Sequence, residues 1–170
     1  MKIRHERFSD KETISSIHYA AFKNHPQYAQ GAEPTEHLVV EHLRAANAMT
    51  LSLVAEKNSE LLGHIAFSVA PIGYLTGGWH LLGPIGILPQ HQRKGIGSKL
   101  ICESIIIMQA HHSSGIVLVG DPVFYERFGF RNYEGLNYPG VPRENVMALP
   151  LTGNGYVPKG DIIAHEAFEE

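Results

Sequence analysis

The hexapeptide Gln92-Arg93-Lys94-Gly95-Ile96-Gly97 constrains this chain more than any other stretch. An apolar run ending at Leu88-Pro89 precedes it, and a run with helical spacing follows. A strand, a short turn and a helix start form a natural seat for phosphate. Glycine carries no Cβ, so the backbone can close around an anion. The helix start adds unpaired N–H donors and a partial positive charge. Arg93 and Lys94 add two full charges. The expected guest is a pyrophosphate-bearing cofactor, gripped by main-chain amides from Gln92 through Gly95, Ile96 and Gly97 to Ser98. Two familiar nucleotide loops do not fit. A P-loop needs Gly followed by Lys and Ser or Thr, whereas Gly97 is followed by Ser98 and Lys99. A dinucleotide fingerprint would need a third glycine where Leu100 stands.

A second motif, Tyr125-Glu126-Arg127-Phe128-Gly129-Phe130, lies one helix and one strand downstream, after the apolar strand Ile116 to Val119. Together, Gln-x-x-Gly-x-Gly and Tyr-x-x-x-Gly-Phe resemble the acyl-CoA loop and the tyrosine element of the GCN5-related N-acetyltransferases (GNAT). The resemblance runs from the amino terminus to about Tyr133 and is tightest from Leu82 to Phe130. It implies an α/β (α+β) fold with a mixed central sheet of about six to seven strands and about four helices. It also implies splayed parallel strands four and five, acetyl-CoA as cosubstrate, and direct acetyl transfer to a primary amine in a ternary complex. The alternative within the same fold is a CoA-binding or regulatory module without catalysis.

Composition agrees with one globular domain over residues 1–170. A net charge of -3 argues against a nucleic-acid binder that works through a broadly basic surface. No run approaches the roughly 20 apolar residues that span a bilayer, and Met1 to Glu6 has no signal-like apolar core. With a single cysteine no internal disulfide forms. A cytoplasmic location is the expectation, with a small-molecule or peptide amine as partner and a homodimer as common among relatives. Eleven histidines raise the question of metal, but none is spaced with a cysteine or acid cluster as a ligand set, and no metal is expected.

Along the chain, Lys2 to Phe8 reads as a strand, and Ser9 with Glu12 as a capping box before a helix to Phe22. The helix face carries Ile14, Ile17 and Ala21. Lys23 to Pro34 is a loop, and a second helix from Pro34-Thr35 turns Leu38, Val39, His42 and Leu43 inward. Leu51–Lys57 and Leu61–Ala70 form a hairpin, and Trp79–Leu88 is the fourth strand, with a bulge, kink or plain irregularity at Gly83-Pro84. A helix from Gly95 to His111 packs Ile96, Leu100, Ile101, Ile105 and Met108. Arg131 to Tyr133 begins a sixth strand and Val146 to Leu151 a seventh, while 153–170 shows no clear period.

The resemblance supplies roles for particular residues. Ile87 and Leu88 would offer main-chain groups to the pantetheine arm, as one strand pairs with another, and an N–H near Ile87 would stabilise the oxyanion. Tyr125 would be the general acid for the departing thiolate, or else a packing tyrosine. Many members carry an Asn shortly before the tyrosine. Here Val117 to Pro122 has none, and Asp121 either caps the short helix or contacts the cofactor. His80 stands as base candidate beside His64, Glu33 and Glu56. Direct transfer needs no protein nucleophile, and Cys102 is expected in the core.

Overall fold

A computed structural model describes residues 1–169; Glu170 lies outside the described residues. The chain opens with β1 (Lys2–His5), α1 (Lys11–Phe22) and α2 (Glu36–Ala45). β2 (Met49–Lys57), β3 (Glu60–Val69) and β4 (Trp79–Ile87) follow as an antiparallel meander. Then come α3 (Ile96–Ala110), β5 (Gly115–Val119) and the one-turn α4 (Pro122–Tyr125). The remainder holds β6 (Leu136–Asn137), β7 (Val146–Pro150) and β8 (Gly160–Asp161). The main sheet has six strands in the order β1-β2-β3-β4-β5-β7, and β6 pairs with β8 in a separate two-stranded ladder.

Strand alternation sorts the core into two layers. Leu53 packs with Ile65, Leu100 and Ile101 under α3, while its neighbour Val54 packs with Ile14, Ile17 and Val40 under α1 and α2. Successive side chains of a strand point to opposite faces, so helices must cover both sides. β3 is accordingly buried from Leu61 to Ser68, as a central strand with two covered faces must be.

β4 and β5 run parallel but pair only at Trp79↔Gly115, His80↔Ile116 and Leu81↔Val117. Beyond Leu81 the two strands part. Gly83 and Pro84 together oppose Ala66 alone, because the register skips from Ile65↔Ile85 to Phe67↔Leu82. This is a bulge, and it bends β4 where the separation begins. The splay leaves the β5 side of Ile85 to Ile87 without a partner strand.

Several local expectations are corrected. Ser9 does not cap α1. A single 3-10 turn, Phe8–Asp10, precedes the helix, and the Asp10 carboxylate accepts from the Arg7 N–H (2.7 Å) and the Arg4 guanidinium (2.8 Å). In α2 the inward face is Val39, Val40 and Leu43, and His42 is exposed. Cys102 is exposed, because α3 buries positions 96, 100, 101, 104 and 108, which turns 102 and 106 outward. Ser104 takes an inward place by donating its hydroxyl to the Leu100 carbonyl (2.7 Å). Arg131 to Tyr133 is no strand beyond one bridge, Arg131↔Ala148.

Candidate functional site

The Gln92–Gly97 turn joins β4 to α3 through a 3-10 turn at Pro89–His91. Arg93 (φ 61°) and Gly95 (φ 84°) are both left-handed, with a right-handed helix beginning at Ile96. Alternating hands turn successive N–H groups toward one side, which makes a concave anion seat. No side chain caps α3, so the amides of its first turn are open to a guest. Gly95 has open space around it, so its φ, not crowding, demands glycine. Gly97 lies 3.9 Å from Ile87 Cγ1 by its would-be Cβ, an ordinary contact. Gln92 Nε2 donates to the Ile87 carbonyl (3.0 Å) and ties the turn to the end of β4. A cleft of about 450 Å³ opens here, lined by Arg93, the Gly95–Ser98 backbone, Phe124 and Arg127.

Lys94 belongs to the same turn but does not line this cleft. Leu88 donates its N–H to the Leu62 carbonyl (2.9 Å), and its own carbonyl accepts from His91 N–H (2.8 Å). The Leu88 amide therefore faces β3, not a ligand. In-plane groups of a strand alternate sides, so the Ile85 and Ile87 amides face the splay. The unpaired edge is therefore that of Ile85 and Ile87, and the Leu88 N–H is not part of it.

Two further clefts continue the first. One of about 230 Å³ is walled by Ile85, Gly86, Ile87, Phe124 and Tyr125, and shares Ile87, Gln92, Gly97 and Phe124 with the anion cleft. The other, of about 550 Å³, lies between the α1–α2 loop, the bulged part of β4 and the start of α4. The residues common to these two are Phe22, His25, Ile85 and Tyr125. A groove thus runs from the anion seat across the splay into a wider chamber, with Tyr125 at the junction.

Tyr125 is held from several sides. Asp121 Oδ1 accepts from the Val123 N–H (3.0 Å) and caps α4, with Pro122 at its first position. Gly129 (φ 99°) ends the turn that follows. Phe124 and Phe130 meet the Tyr125 ring edge to face at 5.0 and 5.9 Å. A Cβ on Gly120 would overlap the ring, so glycine there is what lets Tyr125 lie flat against the end of β5. Burial pushes the phenol up to about 12, so it holds its proton throughout the neutral range.

The expected bases lie elsewhere. His80 shares a face with Leu82 toward α3; its Nδ1 meets Ser113 Oγ at 2.9 Å, in a cleft with Glu6 and His111. His64 is buried between His18 (2.7 Å) and Ser52 (2.8 Å). Glu56 is paired with Arg4 (3.2 Å), and Glu33 with Lys23 (2.7 Å). None of the four lines the groove. His25, which sequence reasoning passed over, lines both the middle cleft and the chamber, as Tyr125 does. Its Nδ1 accepts from the Gln27 N–H (3.3 Å) and its ring neighbours Phe22. The one available signal was its place in the Lys23–Pro34 loop between the first two helices.

An acetyltransferase (GNAT) domain model matches residues 49–132, the span from β2 to just beyond the Tyr125 turn. A GNAT family acetyltransferase from Brucella melitensis, crystallised in complex with acetyl-CoA, is 40% identical, with a TM-score of 0.84 over 98% of this chain and 97% of that one. YhbS from Escherichia coli, crystallised with CoA, has a TM-score of 0.88 at 23% identity, over 99% and 92% of the two chains. In sequence, 93 residues align with the uncharacterized N-acetyltransferase YhbS at 28% identity, so the match spans 56% of that relative. The uncharacterized N-acetyltransferase YjhQ of Escherichia coli aligns over 92% of this chain and 93% of its own length at 27% identity. By the matching domain and the 40% identity over nearly its whole length, this chain belongs to the GNAT acetyltransferase family.

Proposed function

We propose that this protein is an acetyl-CoA-dependent N-acetyltransferase that moves acetyl directly onto a primary amine. The observation that carries this is the single groove with an anion seat at one end, Tyr125 at its middle and a separate chamber at the other. Coenzyme A fits the chain's features piece by piece. The open amides at Gly95–Ser98, with Arg93 and Arg127, suit a pyrophosphate. The unpaired edge at Ile85 and Ile87 suits the amides of a pantetheine arm. Bound there, acetyl-CoA supplies an activated acyl group as a thioester.

The protein's own part is positioning and proton management. An N–H of that edge left free by the pantetheine arm, near Ile87, would stabilise the negative charge that develops on the acyl oxygen. Tyr125 keeps its proton until the sulfur needs one. His25 faces the same junction and is chemically suited to take the proton that the attacking amine gives up. No cysteine lines the groove, and Cys102 lies on the outer side of α3, so an acyl-enzyme is not required.

Thiol release from acetyl-CoA, followed against a panel of primary amines, tests the proposal. Direct transfer gives intersecting double-reciprocal plots; parallel plots would indicate a covalent intermediate. Binding of acetyl-CoA with no thiol release for any amine would leave only a binding module. Gly95→Val examines the seat separately. A β-branched residue resists a φ of 84°, so affinity for CoA is expected to fall by about tenfold in a protein that still folds. Unchanged affinity in calorimetry would remove the turn from the binding site.

A further inference from the structure

We propose that the acceptor is a primary amine on an apolar or aromatic body that carries no carboxylate. This inference rests on the acetyltransferase reading and specifies the acceptor's chemistry.

The chamber beyond Tyr125 has walls of Phe22, Val39, Leu81, Pro84, Tyr138 and Phe168. At about 550 Å³ it suits a small organic body more than a peptide chain. Its charged lining is one-sided. Glu36 and Asp121 both contribute, and no lysine or arginine does. Glu36 is held by neutral donors: Tyr28 OH (2.5 and 2.6 Å), Gln27 Nε2 (2.8 Å) and the Thr35 N–H (3.2 Å). These fix the carboxylate in place, and none of them carries a full positive charge. Asp121 uses Oδ1 for the α4 cap, which leaves its second oxygen free of that bond.

An ammonium arriving in this chamber meets negative charge and apolar contact together. An amino acid brings a third carboxylate into the same space, with no guanidinium or ammonium in the lining to receive it. Like charges brought together inside a low-dielectric wall discriminate strongly. A polyamine offers Phe22, Leu81 and Phe168 only short methylene spacers between charges, so this wall gains less from it than from an apolar or aromatic body. Glu36 is therefore the residue that selects the acceptor, and Tyr125 and His25 stand at the end where the amine reacts.

Matched pairs that differ only by the carboxylate provide the test: tyramine with L-tyrosine, phenethylamine with L-phenylalanine, and isopentylamine with L-leucine. Binding to the CoA-saturated protein is measured by calorimetry, and turnover by thiol release. In at least one pair the amine is expected to bind about 100-fold more tightly than its amino acid. Glu36→Gln should narrow that ratio and raise KM for the amine about tenfold, with KM for acetyl-CoA unchanged. Equal binding within every pair, tighter binding of the amino acids, no binding by any amine, or a preference for spermidine would each overturn the inference. Amine binding without thiol release would count against the acetyltransferase reading and leave the recognition chemistry standing.

Discussion

Tyr125→Phe is expected to lower kcat by about 100-fold or more while KM for acetyl-CoA stays near the wild-type value. The substitution removes one oxygen and keeps the ring between Phe124, Phe128 and Phe130. Packing is preserved, so the melting temperature should hardly move, and any lost activity belongs to the hydroxyl. The direction of the pKa shift sharpens the expectation. Burial raises the phenol to about 12, so the proton is present across the whole range in which the enzyme is assayed. No alkaline limb below pH 10 should therefore arise from Tyr125. A second variant reaches the same atom from the other side. Gly120→Ala places a Cβ where the Tyr125 ring lies, which shifts the hydroxyl without removing it. Its kcat should also fall, with CoA affinity largely retained, because the amides of the anion seat belong to a different turn. If Tyr125→Phe turns over at the wild-type rate, Tyr125 is a packing residue and the thiolate leaves without its help.

What the sequence disclosed about this site was whatever depends on neighbours in the chain. The anion turn is local: a strand end, two left-handed residues and a helix start within a few positions. Tyr125 is local in the same sense, set by the Asp121 cap and the Gly129 turn. The splay of β4 and β5 is a long-range property, and only the family resemblance anticipated it. The proposed base is long-range too. His80 has suitable chemistry, but strand parity puts it on the α3 face, away from the groove. His25 comes from an irregular loop whose path is decided by packing on α1 and α2, so no periodicity marks it. The tail shows the same limit. Ile162 joins Trp79 and Val117 in the core, and Asp161 accepts from the Gly73 N–H, yet nothing periodic surrounds either one. Misassigning Arg131 to Tyr133 has a related cause, since a strand needs a partner along its length and only Ala148 is there.

Mild acid is expected to destabilise the fold well above the range where carboxylates titrate, through the buried pair His18 and His64. The pair's tautomers follow from its surroundings. Ser52 donates its hydroxyl to Glu6 Oε1 (2.8 Å), so it accepts from His64 Nε2–H (2.8 Å). His64 Nδ1 is then an acceptor for His18 Nε2–H (2.7 Å), and His18 Nδ1 faces the Gly86 backbone without a hydrogen-bond partner. Both rings are neutral in this arrangement and fully buried. Burial, with a smaller contribution from Arg44, pushes His64 down to about 3; burial and the neighbouring His64 push His18 well below its ordinary value. The unfolded chain protonates these histidines near pH 6.5, whereas the folded chain resists. Unfolding therefore takes up protons between about pH 6.5 and 3, and stability is lost as the pH falls through that window and retained above it. His64 alone should account for about 2 kcal/mol between pH 7.5 and 5. Asp10 and Glu56, held below their ordinary values by Arg4, contribute only once the pH falls through the ordinary carboxylate range, below the pH 7.5 to 5 interval. Urea titrations of wild type and of the double variant His18→Leu/His64→Leu separate these sources. Two leucines replace the hydrogen-bonded pair with apolar volume, so no buried donor is stranded. The double variant should show a flat midpoint from pH 7.5 to 5, while wild type falls. If both decline in parallel, the acid sensitivity resides in other groups and the buried pair is not its source.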